Sequence, residues 1–411
     1  MATREFDVVI FGATGFTGQL VAEYYLRTYG APSSSFNWAI AGRNQKKLQE
    51  IKKDLGINKN LPEAKDIKTL VANSNDSASL EAIAKNTKVV VTTVGPYMKY
   101  GSKLVAACAA KGTHYADLTG EVPWIKDMIA ANEEKAKASG ARILHCCGFD
   151  SVPSDLGTHV MYNALVKRGL TPTEIKFIVG PSKGGVSGGT VHSLAGVLQS
   201  GRLRDMGNPY LLLSGGKKGG RGGGVTVKEP MGVGWDRDVQ RWNAPFVMAG
   251  INTRVVVRSS YLMDRLPFEY TETMSFPKGV GGFLSACALT LGLALVVTCL
   301  LIPPIRWLVL KMLPPGSGPG EEMRKTGFAL IYVVGKGVDK AGKEVVLKGS
   351  VRIAGDPGYQ ETAKMLAETG MALAKDEVDA APGFLTPASA LGDKLVTRLK
   401  KRDLVVEVEG E

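Results

Sequence analysis

The 411-residue sequence predicts an α/β protein: a doubly wound parallel sheet, a second α+β domain, and an apolar segment suited to a membrane or lipid surface. Three observations carry this expectation. Short apolar runs alternate with helical segments from residue 6 to 150, a glycine-rich turn closes the first run, and residues 283–302 contain no charged side chain. Strands that alternate with helices pair in parallel under helices on both faces. The length exceeds that of one average domain. It divides as 1–150, then 151–385 interrupted by an apolar stretch at 283–312, then a C-terminal return helix and strand at 386–411.

In order, the predicted strands of the first part are FDVVIF (6–11), FNWAIA (36–41), IKTLV (67–71), KVVVTTV (88–94), HYADL (114–118) and RILHCC (142–147). Thr119, Glu121 and Pro123 mark the start of a helix that Gly140 ends. After 151 the character changes. Strands are expected at 174–180, 253–258, 328–334 and 345–353, a mobile glycine-rich loop at 214–224, and a helix at about 359–374. Thr386 and Pro387 open a last helix before the strand LVVEVE.

The apolar segment is long enough for a helix to cross a hydrocarbon layer of roughly 30 Å. Pro303 and Pro304 break it, and IRWLVLKML follows with the tryptophan and cations of an interface. Insertion as a dipping hairpin is the expectation, with a buried core helix as the alternative.

The first strand runs into GATGFTG, residues 12–18. A strand that ends in glycines and opens a helix leaves unpaired amides at the positive end of the helix dipole, a site for a pyrophosphate. Gly12, Ala13, Thr14, Gly15, Phe16, Thr17 and Gly18 are therefore the expected cofactor cradle. The second strand ends in AGR. Arg43, with no acid beside it and with Lys46 and Lys47 downstream, suits the 2′-phosphate of NADP, where an acidic residue would suit the free ribose hydroxyls. A solvated arginine without a ligand is the alternative. Gly95, Pro96 and Tyr97, at the end of the next strand in the sheet, should border the ribose or nicotinamide.

Composition excludes other classes. The formal charge of +12 is scattered rather than gathered into a stripe with aromatics, so nucleic acid is not an expected partner. It suits a phosphate-bearing ligand or an anionic membrane surface. Lys217, Lys218 and Arg221 form one small cluster, and Lys400, Lys401 and Arg402 another. Five cysteines at no framework spacing fit reduced thiols facing the cytosol, and MATREF leaves no room for a signal peptide before the first strand. No cluster has metal-ligand spacing, so no metal is expected.

FGATGFTG, AGR, VGPY, ACAAKGTHYADLTGE and CCGFDSVPSDLG, in this order, resemble the saccharopine dehydrogenase-like oxidoreductases, in particular the trans-acting enoyl reductase branch. The resemblance is strong over the first 160 residues and weaker to GFLTPA at 383–388. It implies a Rossmann domain, an inserted α+β domain, NADPH chemistry and a homodimer. It also places Gly148 beside the cofactor and matches Asp150 to the aspartate of a loop near the nicotinamide. Ser151 and Val152 stand where saccharopine dehydrogenases have Pro-Gly, which argues against saccharopine as substrate.

Reduction of an enoyl or carbonyl group needs a hydride and a proton. Tyr97 is the first candidate donor, with ring stacking or packing as its alternative, and Asp150 is the second candidate, with loop organisation as its alternative. Asp117 and Glu121 could orient ribose or Tyr97, or cap the helix that follows. His145 and Cys146 read as core positions, and Cys147 lacks a paired base for covalent chemistry. SGGT at 187–190, ahead of His192, is either an anion site or tight packing. The expected function is an NADPH-dependent oxidoreductase acting on an enoyl or carbonyl group of a lipid-like or polyketide-like substrate. Its expected place is the cytosolic side of a membrane, a lipid droplet or the endoplasmic reticulum. The alternatives are a non-catalytic lipid-surface scaffold or NADP sensor, and a soluble saccharopine-type dehydrogenase.

Overall fold

The computed structural model describes residues 4–410 apart from 185–194, 197, 200, 214–223 and 313–319. The expected SGGT site with His192 and the basic glycine-rich cluster at 217–221 lie outside the described residues.

The chain opens with β1 (Phe6–Phe11), the helix Phe16–Tyr29, β2 (Trp38–Gly42), the helix Gln45–Ile57, β3 (Lys68–Val71), the helix Ser77–Asn86 and β4 (Thr87–Thr92). The helix Ser102–Lys111, β5 (His114–Asp117), the helix Val122–Ser139 and β6 (Arg142–Leu144) complete this run. Every residue of β1 is buried, as expected of a parallel strand covered on both faces. All pairings in this sheet are parallel, and the strand order is β14-β6-β5-β4-β1-β2-β3. The order reverses at β1, between β4 and β2, and that reversal creates a crevice at the carboxyl edge.

The seventh strand of this sheet comes from far along the chain. β14 (Gly383–Leu385) pairs with β6, with Phe384 opposite Ile143. The helix Thr362–Lys375 also lies on this sheet, where the Tyr25 hydroxyl donates to the Ala367 carbonyl at 2.8 Å. The return to the first sheet thus begins near 362, ahead of the expected 386.

The helix Val152–Lys167 leads into the second sheet, made of β7 (Thr171–Lys183), β8 (Thr226–Lys228), β9 (Gly234–Asp236), β10 (Arg241–Pro245), β11 (Glu269–Phe276), β12 (Phe328–Val338), β13 (Glu344–Ala354) and β15 (Leu404–Val408). Its order is β15-β13-β12-β7-β11-β10-β9, with β8 against β11. The expected strands at 328–334 and 345–353 are β12 and β13, whereas 253–258 lies in the helix Ala249–Leu262. Val255, Val256 and Val257 are all buried there, so the helix has no solvent stripe to reveal its period, and its β-branched run reads as a strand.

The apolar segment forms the helix Val280–Leu301, followed by a second helix, Pro303–Met312. The core-helix alternative does not hold. Leu291 is 71% exposed, and only 11% of the most apolar window of the helix is buried.

Candidate active site

The three glycines of the first turn do three jobs. Gly12 has φ +94°, and a Cβ there would lie 2.6 Å from Val94 Cγ2, so the chain can turn past β4 only without a side chain. At Gly18 a Cβ would lie 2.3 Å from the Gly12 carbonyl oxygen, which lets the helix sit directly on the strand. Gly15 is exposed, and its nearest neighbour would be the Gly12 oxygen at an ordinary 3.4 Å, so it leaves open space above the turn. The amides of Thr14, Phe16, Thr17 and Gly18 have no hydrogen-bond partner among the described residues. Open space and free amides at a helix N-terminus together fit a pyrophosphate.

Gly42, at the end of β2, lies beside Thr14 of the turn, and Arg43 follows it, exposed and with no ion pair among the described residues. The nearby Asn44 accepts from the Lys47 amide at 3.0 Å and starts the next helix. Thr93, after β4, donates from Oγ1 to the Gly12 carbonyl at 3.2 Å, which fixes the two strand ends together. Gly95 beyond it is exposed and Pro96 half-buried. The residues present therefore fit an NADP at this edge. Gly148 does not open onto it: a Cβ would lie 2.8 Å from Leu118 and 3.0 Å from Thr362, so this glycine serves packing.

Tyr97 turns inward. Its hydroxyl donates to the Thr92 carbonyl at 3.1 Å and accepts from the Leu118 amide at 3.3 Å. Burial pushes its ionisation well upward, so the phenol ties the ends of β4 and β5 rather than presenting a proton to the cleft. Glu121 does not cap its own helix. Its carboxylate accepts from the Tyr97 amide at 2.9 Å and the Met98 amide at 2.6 Å, and so holds the short turn after Pro96. Asp117 is fully enclosed: it accepts from the Tyr115 hydroxyl at 2.8 Å and the Thr119 amide at 3.0 Å, and it meets His145 Nδ1 at 2.7 Å. Cys146 and Cys147 are buried, with thiol ionisation pushed well up by burial.

Asp150 behaves differently. It follows β6 on the same edge of the sheet, is half-buried, and makes no hydrogen bond or ion pair among the described residues. Desolvation pushes its carboxyl up to about 6. Behind it lies a network that sequence reasoning missed. Ser151 Oγ donates to Asn252 Oδ1 at 2.9 Å, and Asn252 Nδ2 donates to Glu272 Oε2 at 3.1 Å. Glu272 also accepts from the Tyr270 hydroxyl at 2.6 Å, and burial pushes it up to about 8. One signal was available: in EYTETMSF the two-residue period puts Glu272 on the same face as Tyr270, which is fully buried.

Residues 8–144 match the family described as the saccharopine dehydrogenase NADP binding domain. A Mycobacterium bovis protein named trans-acting enoyl reductase is 34% identical, covering 98% of this chain and 98% of its own. A Mycobacterium ulcerans protein of the same name is 33% identical with the same coverage. The apo saccharopine dehydrogenase (L-Glu forming) of Saccharomyces cerevisiae shares the fold, with a TM-score of 0.54, 12% identity and coverage of 98% of this chain and 99% of that one. Sequence identity across nearly the whole chain, joined to the NADP-binding edge, makes this protein an NADP-dependent oxidoreductase of the saccharopine dehydrogenase-like family, in its trans-acting enoyl reductase branch.

Proposed function

We propose that this oxidoreductase reduces an enoyl or carbonyl group of a lipid-like or polyketide-like substrate at the cytosolic surface of a membrane or lipid droplet. The observation that carries the reading is the exposed apolar helix Val280–Leu301 on a chain whose other end forms an NADP cradle. The proline-led helix after it carries Arg306, Trp307 and Lys311, residues of a lipid–water boundary. The names of the curated relatives support the enoyl arm of the reading.

NADPH, when bound, supplies the hydride. The free amides at 14 and 16–18 would hold its pyrophosphate and Arg43 its 2′-phosphate. Asp150 would hold the proton, with a carboxyl raised to about 6 by desolvation and so protonated in part at neutral pH. Its neighbour Ser151 is anchored through Asn252 to Glu272, which fixes where the loop stands.

The test is NADPH consumption with enoyl thioesters and keto lipids offered in vesicles. Asp150→Asn should lower turnover roughly 100-fold or more, leave NADPH affinity unchanged, and remove a fall in rate as pH rises through about 6. NADPH binding without hydride loss to any acyl acceptor would instead identify a scaffold or sensor. Turnover of an amino-acid conjugate by protein that stays off vesicles would identify a soluble dehydrogenase.

A further inference from the structure

Two segments of the second sheet's half of the chain come back over the NADP edge. The short helix Glu321–Thr326 precedes β12, and Glu321 lies 3.3 Å from Nζ of Lys59, just after the helix Gln45–Ile57. The end of this helix is fixed by close backbone contact with the turn after β13: a Cβ at Gly327 would lie 2.4 Å from Asp356 Cα, and the Arg324 carbonyl accepts from the Asp356 amide at 2.9 Å. Helix and turn therefore move as one.

The turn itself reaches the glycine cradle. Asp356 Oδ2 accepts from the Tyr359 amide at 2.9 Å, and the buried Tyr359 ring meets Phe16 edge-on at 5.5 Å. Further along, Thr362 Oγ1 accepts from the Phe149 amide at 3.0 Å, next to Asp150. The crossing after β13 thus runs from the cradle to the loop that carries Asp150.

This arrangement sets Arg324 at the mouth of the cradle. Its guanidinium lies over the Phe16 ring, 5.7 Å from the centroid, within cation–π range. On the same helix Lys325 pairs with Glu321 at 2.9 Å, whereas the Arg324 side chain has no ion pair and no hydrogen bond among the described residues. Its Nε is a buried donor without an acceptor. A guanidinium only donates and keeps its charge, so one left unpaired at a half-buried position calls for an anion from outside the chain.

The anion's place follows from the helix beneath. Cα–Cβ bonds tilt toward a helix N-terminus, so Phe16, the first residue of its helix, carries its ring toward the end where the amides of 14 and 16–18 are free. Guanidinium and helix end then bring two sources of positive potential to one place.

We propose that Arg324 is a ligand of the cofactor's pyrophosphate, supplied across the glycine turn from the second sheet's half of the chain. The inference rests on the pyrophosphate lying at the free amides, as given above. Its role differs from that of Arg43: Arg43 serves the 2′-phosphate, which NADPH alone carries, and Arg324 serves the diphosphate that NADPH and NADH share.

The test is calorimetric titration of the full chain with NADPH, NADH and adenosine 2′-monophosphate, which has no pyrophosphate. Arg324→Met keeps an apolar stem over Phe16 and should weaken NADPH and NADH alike, by about 10- to 100-fold. It should leave the affinity for adenosine 2′-monophosphate and the Tm of the unliganded protein unchanged. Arg324→Lys keeps the charge without the planar fork and should fall between Met and wild type. Gly15→Val serves as the control on the cradle. If it loses NADPH while Arg324→Met binds both dinucleotides as wild type does, the cradle stands and the proposal is overturned. If Gly15→Val keeps NADPH, the cradle reading falls and the proposal with it. A loss confined to NADPH would assign Arg324 to the 2′-phosphate instead. A loss shared by adenosine 2′-monophosphate, together with a lowered Tm, would make Arg324 a packing residue, and either result overturns the proposal.

Discussion

The two sheets keep their chemistry in different parts of the chain. At the edge of the first sheet it resides in the backbone, in unpaired amides and in glycines that make room. Where the second sheet meets the helices Val152–Lys167 and Ala249–Leu262, it resides in buried side chains: Asp155 accepts from the Ser259 hydroxyl and from the Ala388 amide at 2.8 Å, and Asn252 bridges Ser151 and Glu272. A backbone site is written by neighbouring residues and survives any substitution that keeps the turn. A side-chain network is assembled from distant segments, and each member is held by the others.

The glycine turn offers the strongest way to break this contrast. Gly18→Val drives a side chain into the Gly12 carbonyl and should cost roughly 3 kcal/mol or more, seen as lost soluble yield and a lowered Tm. Gly15→Val faces open space, so it should fold with a nearly unchanged Tm and lose NADPH binding in a titration. Identical behaviour of the two variants would mean that the turn serves packing alone.

Arg43→Asp comes next. Loss of a charge-assisted contact to the 2′-phosphate should weaken NADPH by about 10- to 100-fold and move preference toward NADH. An unchanged preference would return Arg43 to the solvated surface.

The smallest effect belongs to the side-chain network. Glu272 ionises near 8 in the folded state and near the ordinary carboxylate value when unfolded, so the unfolded chain sheds its proton first as pH rises. Its contribution is full below the unfolded value and declines as pH climbs toward 8. Glu272→Gln should flatten the fall of Tm between pH 5 and 8. Parallel Tm curves for variant and wild type would show that the carboxyl is charged or solvated.

The same division explains what the sequence made legible. Contiguous signals succeeded for the elements: the buried β1 running into a glycine turn and a helix, the strand LVVEVE, and the uncharged helix that ends before Pro303. Side-chain roles were less legible because partners distant in sequence decide them. Nothing local to Tyr97 shows that the Leu118 amide and the Thr92 carbonyl engage its hydroxyl, and nothing local to Glu121 shows that it serves a turn more than twenty residues upstream. The expected strand at 253–258 lies inside the helix Ala249–Leu262 for a related reason: residues 252–260 are all buried, so that stretch carries no period.

The strand β14 has a mechanical consequence. Among the described residues the chain passes between the sheets three times, after β6, after β13 and after β14. A pair of lobes joined by one linker swings freely, whereas lobes stitched at three places can only flex. Any closure over substrate is thus confined to a small bend about those crossings. A fragment ending at residue 150 would lack both an edge strand and the helix Thr362–Lys375, and would expose the apolar face they cover. The cofactor half of this protein is therefore not a detachable module but one part of a laced whole.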